Sequence, residues 1–575
     1  MSAEAPALTL SRSTLDRLRR TIASGGGAVE RLPVPAVLGA LIAIEWTCVL
    51  ALARTVRHAG WLYYQGGDQL WNYTLGWLLG HGELGQTAVG YGLPTALAPV
   101  ARIAGPNLLS ALPAIILFNV VVLLPVAMLA LYGIAARIGG RLFGYWTLVL
   151  WIAVPFVGIA YTNVGYHQKY TELLLPQAFG LTALADFPTM VAVVGSLYFC
   201  GKVIFTERPL VLDGIAAGVI AGVAIAIKPS AALFLIGPLL AFAYARRGPA
   251  LVGFLSGIAP ALIALAVWKE RGLGHLPLVS GIGPHPAGSG LASVAPLLAL
   301  DLGHRLNQLN WSHLGNNINA LREHFWSGRV LVWLFVAGLV GLARRSWATL
   351  LLIGGPLVAF AIVKGSYASA SVEDGSVFRI MMPAFPAFIL GLASVPLLLP
   401  HAPRLLKPWR PAFAEPPAHL RRWLVIAGAV LSAVIPLAAF AAAQTTGGAA
   451  EAASLSGGTM PVPANVDLQL RARQSGQGVQ LSWRGARSVG GPAFYRVWRA
   501  PAKGGNGFTC DAQVPGGRQC YVSLPEITAV HNASYVDRPG KGQWVYRIVL
   551  AANWLNDPAF GDAYLVGAPV EITVR

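Results

Sequence analysis

Asp68 is the only carboxylate in a stretch of aromatics and amides, Tyr63 to Tyr73, that follows the first long apolar run of the chain. A lone acid beside a membrane-embedded wall is placed to act as a base on something arriving in the bilayer. Asp68 between Gly67 and Gln69 suits the N-cap of a short helix equally well. A second acid, Asp186, stands at the mouth of a later apolar run in Asp186-Phe187-Pro188, and it too has the type and place of an N-cap, with Pro188 in the first turn. Glu45 falls inside the first apolar run. An ionisable group there is a functional candidate by default, and a buried, hydrogen-bonded partner is the other reading. Tyr64, Gln69, Tyr91, His167, Lys169 and Glu172 flank these acids in loops, and Lys228 and Arg379 stand where later apolar runs end or begin. The histidines of residues 269–329 (275, 285, 304, 313 and 324) lack the i, i+4 spacing of a helical metal pair. That loop reads as facing substrate, or as a plain interfacial connector.

The elements that must position these groups are membrane spans. The chain has 575 residues, of which 55% are hydrophobic and only 11% charged, a composition that excludes the soluble classes and fits a polytopic membrane protein. About eleven apolar runs are expected to cross, near 34–53, 108–134, 142–160, 184–205, 210–227, 230–245, 249–268, 330–343, 347–363, 380–399 and 423–443. The first is long enough to stay as an anchor after a basic segment, residues 1–33. The net charge of +18 suggests nucleic acid until its distribution is read. With the N-terminus in the cytoplasm, the short even-numbered connections hold Arg137, Arg141, Arg246, Arg247, Arg344, Arg345, Arg421 and Arg422, more basic residues in fewer positions than the opposite side. The charge therefore sets topology, and nucleic acid is not expected as a partner. On this reading, loops 54–107, 161–185, 269–329 and 364–379 are external, and loop 54–107 carries a helix lying in the interface along residues 70–79.

The order of features now carries a resemblance. One span precedes a long external loop with Gly67-Asp68, followed by Gly90-Tyr91-Gly92-Leu93-Pro94 and by Asp186-Phe187-Pro188 at the fourth span. Gly218 to Gly222, Lys228-Pro229-Ser230, and Phe378-Arg379 leading to Pro383-Ala384-Phe385-Pro386 follow. Residues 30 to about 445 so arranged resemble membrane glycosyltransferases of the GT-C superfamily, which include protein mannosyltransferases, lipid A aminoarabinose transferases and arabinofuranosyltransferases. The resemblance implies a sugar donor on a polyprenyl phosphate and an acceptor hydroxyl on a glycan, lipid or protein. It implies Asp68 as the base that takes the acceptor proton and Arg379 as the first cation on the leaving phosphate, with Lys228, Lys169 and His167 behind it. Asp186 would orient the acceptor or share a divalent ion, Mg²⁺ or Mn²⁺, with Asp68. Many members pair two acids in the first loop, and Asp68 is alone, so the metal is left open.

Past a linker, 446–460, the pattern changes to alternating runs at Val466–Leu470, Val479–Trp483, Phe494–Trp498, Ser534–Val536, Trp544–Leu550 and Val570–Val574. Six or seven strands in residues 461–575 predict a sandwich, and Leu481-Ser482-Trp483 with Tyr546-Arg547-Ile548-Val549 resembles a fibronectin type III domain. Cys510 and Cys520 fall in this external domain and are expected to pair, whereas Cys48 and Cys200 lie in spans. The fold class expected is a polytopic helical membrane domain followed by an extracytoplasmic β-sandwich. Two other functions fit less well: a lipid-linked sugar transporter, which calls for internal repeats and broken helices, and a non-catalytic cell-envelope assembly protein.

Overall fold

The structure, a computed structural model, describes residues 29–55, 67–84, 89–104, 108–163, 177, 180–206, 211–273, 309–367, 370–372, 376–399, 406–409 and 417–445 of the helical part. Of the C-terminal part it describes residues 461–463, 469–476, 478–484, 494–501, 519–521, 526–530, 532–551, 565–566 and 570–575. In chain order the helices are α1 (Val34–Thr55), α2 (Gly67–Gly80), α3 (Gly92–Ala104), α4 (Leu108–Phe118), α5 (Leu124–Gly139), α6 (Arg141–Ala160), α7 (Asp186–Phe205), α8 (Val211–Ile227), α9 (Ile236–Tyr244) and α10 (Gly248–Leu273). They continue with α11 (Trp311–His324), α12 (Trp326–Arg345), α13 (Trp347–Gly365), α14 (Ser376–Met381), α15 (Phe385–Ala393), α16 (Ala418–Ala429) and α17 (Ile435–Ala442). Among the described residues eight helical stretches are long and apolar enough to cross a membrane, and Val211–Ile227 and Pro229–Tyr244 are shorter apolar helices. The chain is an integral membrane protein, and every expected apolar run is helical.

Helix packing follows small residues. Gly218 and Gly257 let α8 and α10 touch backbone to backbone, since a Cβ on Gly218 would stand 2.1 Å from Phe254 O and one on Gly257 2.4 Å from Ile215 O. Close approach of this kind is how helices associate in lipid, where apolar burial alone gives no preference for a neighbouring helix. The Gly218–Gly222 segment is thus a packing face. Helices α7 and α8 are tied at both ends by reciprocal ion pairs, Asp186 with Lys228 at one end and Lys202 Nζ with Asp213 Oδ1 at 3.2 Å at the other. Each helix opens on its acid and carries the base near or just past its last turn, which also suits the helix dipole.

Helix α2 departs from expectation. It is not an interfacial helix: Gln69, Asn72, Tyr73, Leu75, Leu78 and Leu79 are all buried. The reason is Gly76 and Gly80, four apart, where a Cβ would come within 2.9 Å of Pro94 O and Ala98 O, so α3 lies directly on α2 and covers it.

Among the described residues the C-terminal strands form a two-stranded pair, Pro461–Pro463 with Gln519–Tyr521, and two larger sheets. Arg471–Ser475, Gly478–Ser482 and Ser534–Asp537 make one, in that order; Glu526–Val530, Phe494–Pro501 and Gly542–Ala551 make the other, with Leu565–Val566 and Val570–Val574 both pairing with Gly542–Ala551. Alternate residues of the two sheets, Val479 and Leu481 against Val497, Tyr546 and Ile548, close a core between them. Of the expected run Val466–Leu470 only residues 469 and 470 are described, and there Gln469 takes φ 48°, outside extended backbone; the strand that follows begins at Arg471. Residues 446–460 and Cys510 lie outside the described residues, as does the side chain of Cys520.

Candidate functional site

Three of the residues singled out by type converge. Lys228 Nζ donates to Asp186 Oδ1. Arg379 Nε lies 3.4 Å from Asp186 Oδ2. The carboxylate is buried, with its side chain 2% exposed, whereas Lys228 and Arg379 are 23% and 29% exposed. The acid therefore forms the base of the cluster and two cations open from it, giving a net local charge of one positive unit. Asp186 is not an N-cap: α7 begins at Asp186 itself, Ala185 holds the cap position, and no side-chain cap bond forms.

Each member is fixed by a separate device. Pro229 pushes the preceding residue out of helical backbone, and Lys228 accordingly takes φ −138°, ψ 103°, so α8 stops there. Gly90 and Gly92 let the turn before α3 press on the last residues of α8, because a Cβ on Gly90 would stand 2.2 Å from Ala226 O and one on Gly92 2.8 Å from Ile227 N. The segment leading into Asp186 is tied on two sides. Gln69 Oε1 accepts from Ala183 N at 2.7 Å, and Asn119 Nδ2 donates to Thr182 O at 2.9 Å. Asn119 opens a π-turn, Asn119–Leu123, between α4 and α5. Arg379 is reached from a loop clamped by α11. Asn317 Nδ2 donates to Gly365 O and Ala370 O at 2.9 and 2.6 Å, its Oδ1 accepts from Val372 N at 3.1 Å, and His313 bonds Ala370 O at 2.7 Å.

Several residues expected to contact substrate make bonds within the chain. Gln69 is fully buried on the Ala183 amide. Tyr91, 1% exposed, donates to Ser432 O at 2.5 Å, and burial pushes its phenol well above the usual range, so it is a neutral pin to the last span. Glu45, fully buried, accepts at Oε1 from Trp151 Nε1 at 3.1 Å and Gln177 Nε2 at 2.9 Å, which ties the first span to the loop before α7. Asn317 and His313, from the loop read as substrate-facing, belong to the clamp just described. Tyr64, His167, Lys169 and Glu172 lie outside the described residues, and so does the side chain of Asp68, whose backbone is the second residue of α2. Since Gln69 bonds Ala183, the first turn of α2 lies against the segment that runs into Asp186.

These residues do not suit a divalent ion. Both oxygens of Asp186 are held by cations, whose charge would repel a metal, and among the described residues no group of three or more His, Cys, Asp or Glu comes together. Asn119 and Gln177 were not singled out in the sequence, and Asn317 was noted only as one of the polar residues of loop 269–329. A polar side chain inside an apolar run, as Asn119 is, was the one available signal.

Below the cations runs an apolar groove of about 780 Å³. Pro188 and Ile227, near neighbours of Asp186 and Lys228, wall its upper end; Leu129, Ala130, Tyr198 and Phe199 wall the lower. Phe118 and Val126 line it and are 55% and 45% exposed, so the groove opens sideways toward lipid.

No protein-family profile matches the chain, and no curated protein sequence matches it. Among solved structures the chain is similar to ArnT from Cupriavidus metallidurans bound to undecaprenyl phosphate, with 14% identity and a TM-score of 0.37 over 62% of this chain and 59% of that one. It is also similar to the oligosaccharyltransferase AglB from Archaeoglobus fulgidus in complex with an inhibitory peptide and a dolichol-phosphate, with 14% identity and a TM-score of 0.33 over 70% of this chain and 55% of that one. The chain thus spans less than two thirds of the length of either, and likeness of this size does not carry chemistry from one chain to another.

Proposed function

We propose that this chain is a membrane glycosyltransferase that moves a sugar from a polyprenyl-phosphate donor to a hydroxyl of a glycan, lipid or protein on the extracytoplasmic face. The observation that carries the reading is the placement of two partly open cations, Lys228 and Arg379, on a buried carboxylate at the head of an apolar groove. An amphiphile with an anionic head and a long apolar tail is the ligand whose two ends match those two surfaces. In this mechanism Asp68 takes the proton of the acceptor hydroxyl as its oxygen attacks the anomeric carbon. The bond to the phosphate breaks, and the electron pair leaves on a phosphate oxygen whose charge Arg379 and Lys228 stabilise, with Lys169 and His167 as further donors. Attack opposite the phosphate inverts the anomeric configuration. Asp186 holds the two cations in place and keeps the net charge low enough for the product phosphate to leave.

Arg379→Lys tests the phosphate site. A guanidinium offers a planar fork to a phosphate and Lys offers a point charge, so undecaprenyl phosphate is expected to bind roughly tenfold more weakly, on the scale of one lost charged hydrogen bond. Titration of the purified protein in lipid nanodiscs measures this, with thermal unfolding as the check on folding. Unchanged affinity removes Arg379 from the site.

The same reading places the N-terminus in the cytoplasm and the C-terminal sandwich outside, with a Cys510–Cys520 disulfide. What supports reading the C-terminal part as a fibronectin type III-like sandwich is that a three-stranded and a five-stranded antiparallel sheet share one core. An impermeant maleimide applied to intact cells, before and after reduction, is expected to label Cys510 and Cys520 only after reduction. Labelling without reduction defeats the disulfide, and protection in both conditions defeats the topology.

A further inference from the structure

Resting on the reading of the groove as the seat of a polyprenyl tail, we propose that Tyr198 is the floor that sets how many isoprene units the groove takes, and that Arg137 is the residue that holds this floor in position. Tyr198 lines the lower end of the groove, edge-on to Phe199 with ring centroids 5.3 Å apart. Its ring lies flat on α5 at Gly133, where a Cβ would stand 2.3 Å from Cε2, so only glycine admits it. From beneath, the Arg137 guanidinium sits 4.6 Å from the ring centroid, and Nη2 donates to the Tyr198 hydroxyl at 3.3 Å while Nη1 donates to Gly133 O at 2.8 Å.

Arg137 is 5% exposed and, among the described residues, faces no carboxylate. A buried guanidinium costs free energy unless its donors are used, and here they are spent on one aromatic ring and the helix carbonyl under it. That arrangement fixes a side chain at the bottom of a groove whose head is cationic. Along α7 the groove-lining positions run from Pro188 to Phe199, about 16 Å of helix. That length and the 780 Å³ of the groove suit the first few isoprene units of a tail rather than the whole of a long one. The remainder of a longer tail leaves between Phe118 and Val126 into the bilayer.

The test uses the full chain in nanodiscs, with bound photoreactive undecaprenyl phosphate displaced by unlabelled polyprenyl monophosphates of two to eleven units. For the wild-type chain, competition is expected to strengthen about tenfold over the first few units, as packing contacts accumulate, and then to level off. In Tyr198→Ala the levelling-off should move to longer chains, in Tyr198→Trp to shorter ones, and Arg137→Met should shift it in the direction of Tyr198→Ala. Tyr198→Leu, which keeps more of the packing, takes the place of Tyr198→Ala if that variant does not insert. A plateau at the same length in every variant overturns the floor while the donor reading stands. Failure of undecaprenyl phosphate to bind the wild-type chain overturns both.

Discussion

Asp68→Asn is expected to lower sugar transfer ~10²–10⁴-fold while the chain is made, inserted and able to bind donor lipid, because an amide cannot accept the acceptor's proton. The structure sharpens the contrast with a structural role. Asp68 is the second residue of α2 and so lies inside the first turn, where a carboxylate gains only about 0.3–1 kcal/mol from the helix dipole. Replacement by the uncharged isostere should therefore cost at most about 1 kcal/mol of stability. Initial rates with a radiolabelled lipid-linked sugar, alongside thermal unfolding and undecaprenyl phosphate titration, separate the two. A variant that transfers at close to the wild-type rate shows that Asp68 is only a first-turn acid, and the mechanism proposed above fails.

Asp186→Ala should be the most destabilising single change at the site. It removes a carboxylate that is 2% exposed and leaves Lys228 and Arg379 facing each other without an anion. Breaking a buried pair typically costs 3–5 kcal/mol, and because both cations are partly open to solvent the lower end, about 3 kcal/mol, is expected. Thermal unfolding in nanodiscs measures it. Undecaprenyl phosphate should return part of the loss, since its head supplies the missing charge and ligand binding stabilises by mass action. Asp186→Asn combined with Lys228→Met should be less harmful than the sum of the two singles, as expected for residues in contact. If Asp186→Ala melts like the wild-type chain yet transfers no sugar, Asp186 acts on the acceptor and does not brace the cations.

The site was legible one residue at a time. A charged side chain at the end of an apolar run stands out in composition, which is how Asp186, Lys228 and Arg379 were found, and Lys228-Pro229 marks the end of a helix through backbone sterics alone. Their convergence was not legible, because the three are separated by scores of residues and meet only through the packing of α7, α8 and α14. Gln69 looked like a substrate contact because it follows Asp68, and Tyr91 because it stands in the Gly90-Tyr91-Gly92-Leu93-Pro94 segment of the same external loop. In the structure both are buried, and the Tyr91 hydroxyl is bonded to Ser432 O and the Gln69 Oε1 to the Ala183 amide.

What the sequence determined by itself is the set of helices, since runs of apolar residues near the bilayer's width can satisfy their backbone only within themselves. It also determined the alternating strands that follow, where a period of two puts one face in a core. What only the tertiary structure decided is which face of each helix meets protein and which meets lipid. Trp151 and Trp333 both sit in apolar runs, yet one is fully buried against Glu45 and Phe385 while the other is 73% exposed. Lipid and protein interior are equally apolar, so hydropathy cannot tell them apart. Shape decides, through glycines such as Gly90, Gly92 and Gly218 that let particular backbones touch, and through those contacts the groove acquires its cationic head and its aromatic floor.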